Sequence, residues 1–233
     1  MPRKSVLTPS QKVSLLSFPT SKIEFERYYT LSENDLFIIH QKREIHNRLG
    51  FALMLCCIRY PGISYDVDTV IEDNMMEFVK KQLSIQTEID MQLYFKRETT
   101  RREQLAEIQN LYGYRSLNAK MHASYVELLL PTAKATDNGA IVANKLIELL
   151  RHEMIIVPNI SVIERLCSEA ITIATKWVYE TLLEQCSKMQ LDKLQKLFTS
   201  KPNTNISYLG WLQMRNFVAN PKFILEHIQR LRF

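Results

Sequence analysis

Between His46 and Gly62 the chain makes a demand that few folds can meet. His46, Asn47 and Arg48 place three polar, base-capable side chains in one helical turn. They run straight into Leu49-Gly50-Phe51-Ala52-Leu53 and on through Cys56, Cys57 and Ile58 to Arg59-Tyr60-Pro61-Gly62. Leu49, Ala52, Leu53 and Cys56 recur at helical spacing, so the segment reads as a helix whose apolar face lies in a core. Its polar start then faces outward, and Pro61-Gly62 ends it.

The rest of the chain can supply that core. Of 233 residues, 46% are hydrophobic and only 5 are Gly and 8 Pro, which is enough apolar material for one large domain or two small ones and too much for a disordered tail. The net charge of +5, with a pI of about 8.9, has the sign expected of a nucleic-acid partner without deciding for one. The longest apolar run, Phe51 to Ile58, is far short of the roughly 18 residues that span a bilayer. Met1-Pro2-Arg3-Lys4 is followed by polar Thr8-Pro9-Ser10-Gln11-Lys12 where a secretory signal needs an apolar stretch. A cytoplasmic protein with no membrane partner is expected. Cys56, Cys57, Cys167 and Cys186 have no C-x-x-C spacing, so packed, reduced thiols are expected in preference to a metal or redox site.

Helix starts punctuate the chain. Thr8-Pro9-Ser10-Gln11 and Ser21-Lys22-Ile23-Glu24 read as capping boxes, and Leu31 and Leu36 are placed to staple a third start at Ser32 to Asp35. A helix from about Glu33 to Gln41 followed by the one opened by His46 makes a helix-turn-helix-like pair; two ordinary bundle helices fit the same spacing. Asp68 is read as the cap of a further helix through Leu83. Thr87 is read as the start of a long helix reaching about Leu111, with Lys96, Arg97, Arg101 and Arg102 gathered in its middle and Arg102 one turn after Glu98.

The polar stretch Pro131 to Gly139 reads as the second strong helix break, and a boundary between two helical units is expected between Gly113 and Gly139. The second unit resumes with Ala140 to Arg151. Met154 to Val157 reads as extended, and Ser161 to Glu164 as a capping box opening a long helix towards Cys186. Trp211 and a closing helix led by Asn220-Pro221 complete it. The fold class is mainly α, as two consecutive helical-bundle domains with helix-turn-helix-like elements, residues 1–118 and 119–233.

Three groups of residues are candidates for contact with double-stranded DNA. Lys42 and Arg43 lead into His46, Asn47 and Arg48, where Asn47 can bond adenine through both amide groups and Arg48 a guanine edge or a phosphate. Lys96, Arg97, Arg101 and Arg102 form a cationic cluster whose contacts with phosphate would release counterions; a solvated helix face is the plain alternative. Asn159, Ser161 and Arg165 stand at a helix start, where simple capping also accounts for them. No glycine-rich phosphate loop appears, and the carboxylates Asp66 and Asp68, two residues apart, are set aside because Asp68 is read as a helix cap. Catalysis, metal and cofactors are therefore not expected within this chain.

Several landmarks in one order carry a resemblance. Met1-Pro2-Arg3-Lys4-Ser5-Val6-Leu7-Thr8, Tyr29 to Asp35, His46-Asn47-Arg48-Leu49-Gly50-Phe51-Ala52 with Arg59-Tyr60-Pro61-Gly62, Thr99-Thr100-Arg101-Arg102-Glu103, Ile156 to Asn159, Ile163 to Leu166 and Leu209 to Leu212 together resemble the N-terminal region of the replicative transposases of the Tn-three family. The resemblance implies sequence-specific binding to transposon terminal inverted repeats by helical domains. It also implies that the family's RNase H-like catalytic domain, with its Asp-Asp-Glu triad, would lie beyond Phe233. A helical protein-interaction module, or a DNA-binding regulator with no part in transposition, is the alternative.

Overall fold

A computed structural model describes residues 5–202 and 204–213, and the fold is mainly α. In chain order the helices are α1 (Pro9–Leu15), α2 (Lys22–Tyr29), α3 (Glu33–His40), α4 (Ile45–Arg59), α5 (Asp73–Gln82), α6 (Gln92–Phe95) and α7 (Glu98–Tyr112). Strand β1 (Arg115–Ser116) precedes α8 (Ala119–Ala135) and α9 (Gly139–His152), and β2 (Ile155–Ile156) precedes α10 (Ile160–Gln185), α11 (Lys188–Lys196) and α12 (Tyr208–Gln213). The two strands pair in parallel, Arg115 with Ile155 and Ser116 with Ile156. Contacts divide the chain into a first unit, residues 1–175, and a second, residues 176–233.

The first three helices start as their sequences dictate. Thr8, Ser21 and Ser32 each accept from the third helical amide, while Gln11, Glu24 and Asp35 return a bond to the cap amide. The first unit holds two apolar clusters. One is built around α4 with Phe25, Tyr29, Ile39, Met75, Val79, Tyr94 and Ile108. The other joins Leu7 and Leu15 to Tyr125, Leu129, Leu146, Leu150, Ile163 and Leu166.

Helix α4 is covered more completely than a single apolar face requires, because every residue from Leu49 to Ile58 is buried. It packs against α2, α3, α5, α6 and α7, which leaves only its first turn at the surface. Past its other end, Gly62 takes φ +99°, a left-handed conformation that suits glycine, and its carbonyl accepts from the Val157 amide at 2.8 Å. Arg151 Nε donates to the Pro61 carbonyl at 2.8 Å, and its guanidinium lies 4.6 Å over the Tyr60 ring. These contacts tie the end of α4 to the second cluster.

Four expectations are corrected. Asp68 caps nothing: it lies in a turn before α5, which starts at Asp73 after Glu72, whose side chain makes no cap bond. The long helix from Thr87 is two helices, broken so that Tyr94 and Phe95 can turn inward against Tyr65. The carbonyl of Phe95 freed there accepts from Arg101. Pro131 lies inside α8, where burial of Leu129 and Ala133 on either side outweighs one lost backbone bond; the break falls at Thr136 to Asn138 instead. Ser161 and Glu164 form no capping box, because Glu164 is turned onto α1, accepting from Lys12 Nζ at 2.7 Å and Ser5 Oγ at 2.6 Å. The closing helix expected from Asn220 lies outside the described residues.

In the second unit α11 starts on a capping box at Ser187 with Gln190, and Trp211 of α12 is buried. Lys201 Nζ sits 4.0 Å from the Trp211 ring.

Candidate nucleic-acid interface

The surface end of α4 is held by α7. Gln104, only 4% exposed, donates from Nε2 to the Asn47 carbonyl at 3.2 Å and accepts at Oε1 from the Tyr94 hydroxyl at 3.0 Å. The Asn47 carbonyl can only accept, so the Gln104 amide has one workable orientation and the tyrosine must donate. Burial raises the Tyr94 hydroxyl well above its ordinary range, so it stays a donor. The Tyr94 ring lies against Gly50, where a Cβ would stand 2.2 Å from Cε2. One turn after Gln104, Glu107 binds Lys42 Nζ at 2.5 Å, and Lys42 also covers the Phe51 ring at 4.7 Å. Arg48 Nε donates to the Lys42 carbonyl at 2.7 Å.

A second buried polar group closes the other side of this bundle. Asp35 is 1% exposed and accepts from the Ser32 amide at 2.8 Å, Arg59 at 2.8 Å and the Tyr112 hydroxyl at 2.5 Å. Burial pushes its pKa upward, but the bonds from Tyr112, Ser32 and Arg59 win and hold the carboxyl below its ordinary range. One carboxylate thus joins α3, α4 and α7.

The candidate residues are sorted by these contacts. Lys42 is consumed by Glu107. Arg48 has Nε committed to backbone, which fixes the direction of its terminal nitrogens. Arg43 is exposed, and His46 and Asn47 are half-buried, with no side-chain bond among the described residues. Arg101 is bound to the Phe95 carbonyl and lies 5.5 Å over that ring. Arg102 is paired with Glu98 at 2.6 Å, both largely exposed, a pair worth little in water. Lys96 and Arg97 are exposed, carry no ion pair among the described residues, and stand at the amino end of α7, where free amides add to the positive potential.

Gln104 therefore brings two of the three groups together, the first turn of α4 and the Lys96 to Arg102 segment. A cleft of about 180 Å³ beside them is lined by Asp66 and Glu98 as well as Arg101 and Arg102, so its charges cancel and the surplus lies outside it. The third group stands elsewhere. Asn159 Oδ1 accepts from the Val162 amide at 3.1 Å and from Ser161 Oγ at 2.6 Å, which accounts for both as a helix cap, while Arg165 is exposed. Val157 is tied to Gly62 beyond the far end of α4, a helix of 15 residues, which puts this group towards the opposite end of that helix from its first turn.

The sequence reading missed Gln104, Tyr94, Glu107 and the Asp35, Arg59 and Tyr112 set. One signal was available for Gln104: it falls one turn before Ile108 on the inward face of α7, where an unpaired polar side chain is costly. Among the described residues no three His, Cys, Asp or Glu side chains converge as metal ligands, and no helix is long and apolar enough to cross a membrane.

Residues 6–170 match a family model described as a domain of unknown function (DUF4158). The chain is 37% identical over 232 residues to the transposase for transposon Tn3926 of Escherichia coli, and 36% identical over 233 residues to that for transposon Tn501 of Pseudomonas aeruginosa. It is 29% identical over 232 residues to the transposase for transposon Tn1546 of Enterococcus faecium. These matches take in 99 to 100% of the chain but only 23% of each relative's length.

Proposed function

The chain belongs to the DUF4158 family and is similar along its whole length to a part of Tn-three-family transposases, and from that premise we propose that it is the part that binds double-stranded DNA at the terminal inverted repeats. The observation that carries this reading is Lys96 and Arg97, exposed and without an ion pair among the described residues, at the amino end of α7 and held beside the half-buried first turn of α4.

In this reading Lys96 and Arg97 neutralise phosphates and release counterions, which supplies affinity but no sequence information. Asn47 and Arg48 read base edges. Their helix ends at the surface there and is covered everywhere else, so it meets DNA end-on, with its amino terminus. Arg165 supplies a second phosphate contact, on α10. No strand chemistry of transposition is assigned to these residues.

Titration against a duplex carrying the terminal repeat that flanks its own gene, beside a scrambled duplex, tests the proposal. Affinity should fall steeply with salt and favour the repeat. Equal, salt-insensitive binding to both overturns it. A second reading, docking of a protein partner, is favoured by the second unit, which leaves Leu182, Leu183, Met189, Leu194 and Phe198 exposed.

A further inference from the structure

We infer that Gln104 is a positioning residue that makes the two cationic segments act as one reading surface; the inference rests on the DNA-binding reading. Successive turns of one face of α7 each hold a different piece of that surface. Arg101 holds the carbonyl end of α6, Gln104 the carbonyl of Asn47 in the first turn of α4, and Glu107 the ammonium of Lys42 in the turn between α3 and α4.

The middle contact is the one that ties a base-reading segment directly to the helix bearing the phosphate-binding cations. Arg101 reaches only α6, which α7 follows directly. Lys42 is fixed to the start of α4 through Arg48 Nε. Gln104 carries no charge and is buried, so it touches no DNA itself. Burial of an amide costs free energy unless it is hydrogen-bonded, and here its oxygen and its nitrogen each make one bond. Without it the direct tie between the first turn of α4 and α7 is lost and the indirect one through Lys42 and Glu107 remains, so Asn47 and Arg48 are held less closely to Lys96 and Arg97 and phosphate contacts bring the reading side chains to the base edges in poorer register. Discrimination then falls while charge stays the same.

The test is the ratio of affinities for the terminal-repeat duplex and a scrambled duplex of equal length, measured on the full chain across a salt series. Tyr94→Phe with Gln104→Leu removes both members of the hydroxyl–amide bond at nearly constant volume, so neither is left stranded by loss of the other. The ratio should drop about tenfold, the order of one base contact, with the salt slope and the scrambled affinity unchanged. A folded variant with an unaltered ratio overturns the inference. So does a parallel loss on both duplexes, which marks a merely structural role. Gln104→Met, an unbranched replacement of similar length, serves as the second variant should the first not fold, and failure of both to fold assigns Gln104 to the core and ends the inference. Wild-type chain showing no preference for the repeat sinks the DNA reading instead, and this inference with it.

Discussion

Replacing Gly50 with alanine should destabilise the first unit even though alanine is the better helix former. The gain in helix propensity is about 1 kcal/mol. Against it, the new Cβ would stand 2.2, 2.4 and 2.5 Å from Cε2, Cδ2 and Cζ of Tyr94, where ordinary carbon contacts are ~3.5–4.0 Å. The ring has nowhere to go: it is fully buried, stacked 6.0 Å from Tyr65 and edge-on 5.4 Å from Phe95, with its hydroxyl on Gln104. Displacing it adds overpacking of about 1–3 kcal/mol and forfeits a hydrogen bond worth about 1 kcal/mol. The balance is a net loss of roughly 1–3 kcal/mol once the propensity gain is subtracted. For a unit of this size that lowers the melting temperature by roughly 2 to 12 °C. Thermal melting read by circular dichroism measures it, and Tyr94→Leu supplies the control. In that background the same Gly50→Ala change should be neutral or stabilising, because the ring is gone. A rise in melting temperature in the wild-type background, or an equal fall in both, refutes the assignment of Gly50 to close approach by Tyr94.

The unpaired cations should dominate the salt response. Arg97→Ala should weaken repeat and scrambled duplexes alike and lower the salt slope by about one, while Arg102→Ala, already paired with Glu98, should change it less; fluorescence anisotropy across a salt series decides. Arg48→Ala should cost roughly 1–3 kcal/mol on the specific duplex with little effect on melting. Leu53→Ala should do the reverse, losing about 2–5 kcal/mol of stability through a core cavity; an early-melting Arg48→Ala speaks against a recognition role. Asp35 has a folded pKa below its unfolded value of about 3.9, so its contribution is fully present above that pH and is lost as pH falls through the folded value. Asp35→Asn should therefore melt well below wild type at pH 7, with the gap closing on acidification; a gap independent of pH refutes the account.

What the sequence reveals about this molecule follows the range of the forces involved. The caps at Thr8, Ser21 and Ser32 are local, each closed within one turn, and the pattern of hydroxyl and carboxyl or amide names them. The same pattern misleads at Ser161, because Glu164 has a distant partner in Lys12 that no local rule contains. The burial of α4 is legible from its apolar run, but its covering from all sides is not, since that depends on five other helices meeting there. At the candidate interface the residue types are legible and their availability is not. Lys42 and Lys96 look alike in sequence, and only the fold brings Glu107 to the one and leaves the other unpaired.

The placement of α1 has a consequence for the order in which the molecule is made. Its Leu15, with Leu7 just ahead of the helix, closes the second cluster among residues of α9 and α10, and Lys12 reaches Glu164. Those partners leave the ribosome some 150 residues later, on the order of ten seconds at ordinary elongation rates. The first cluster, whose buried members lie between Phe25 and Ile108 apart from Ile156, is nearly complete by then. Helix α1 thus emerges well before the partners that seat it, and during that interval its apolar side is open to whatever else is nearby.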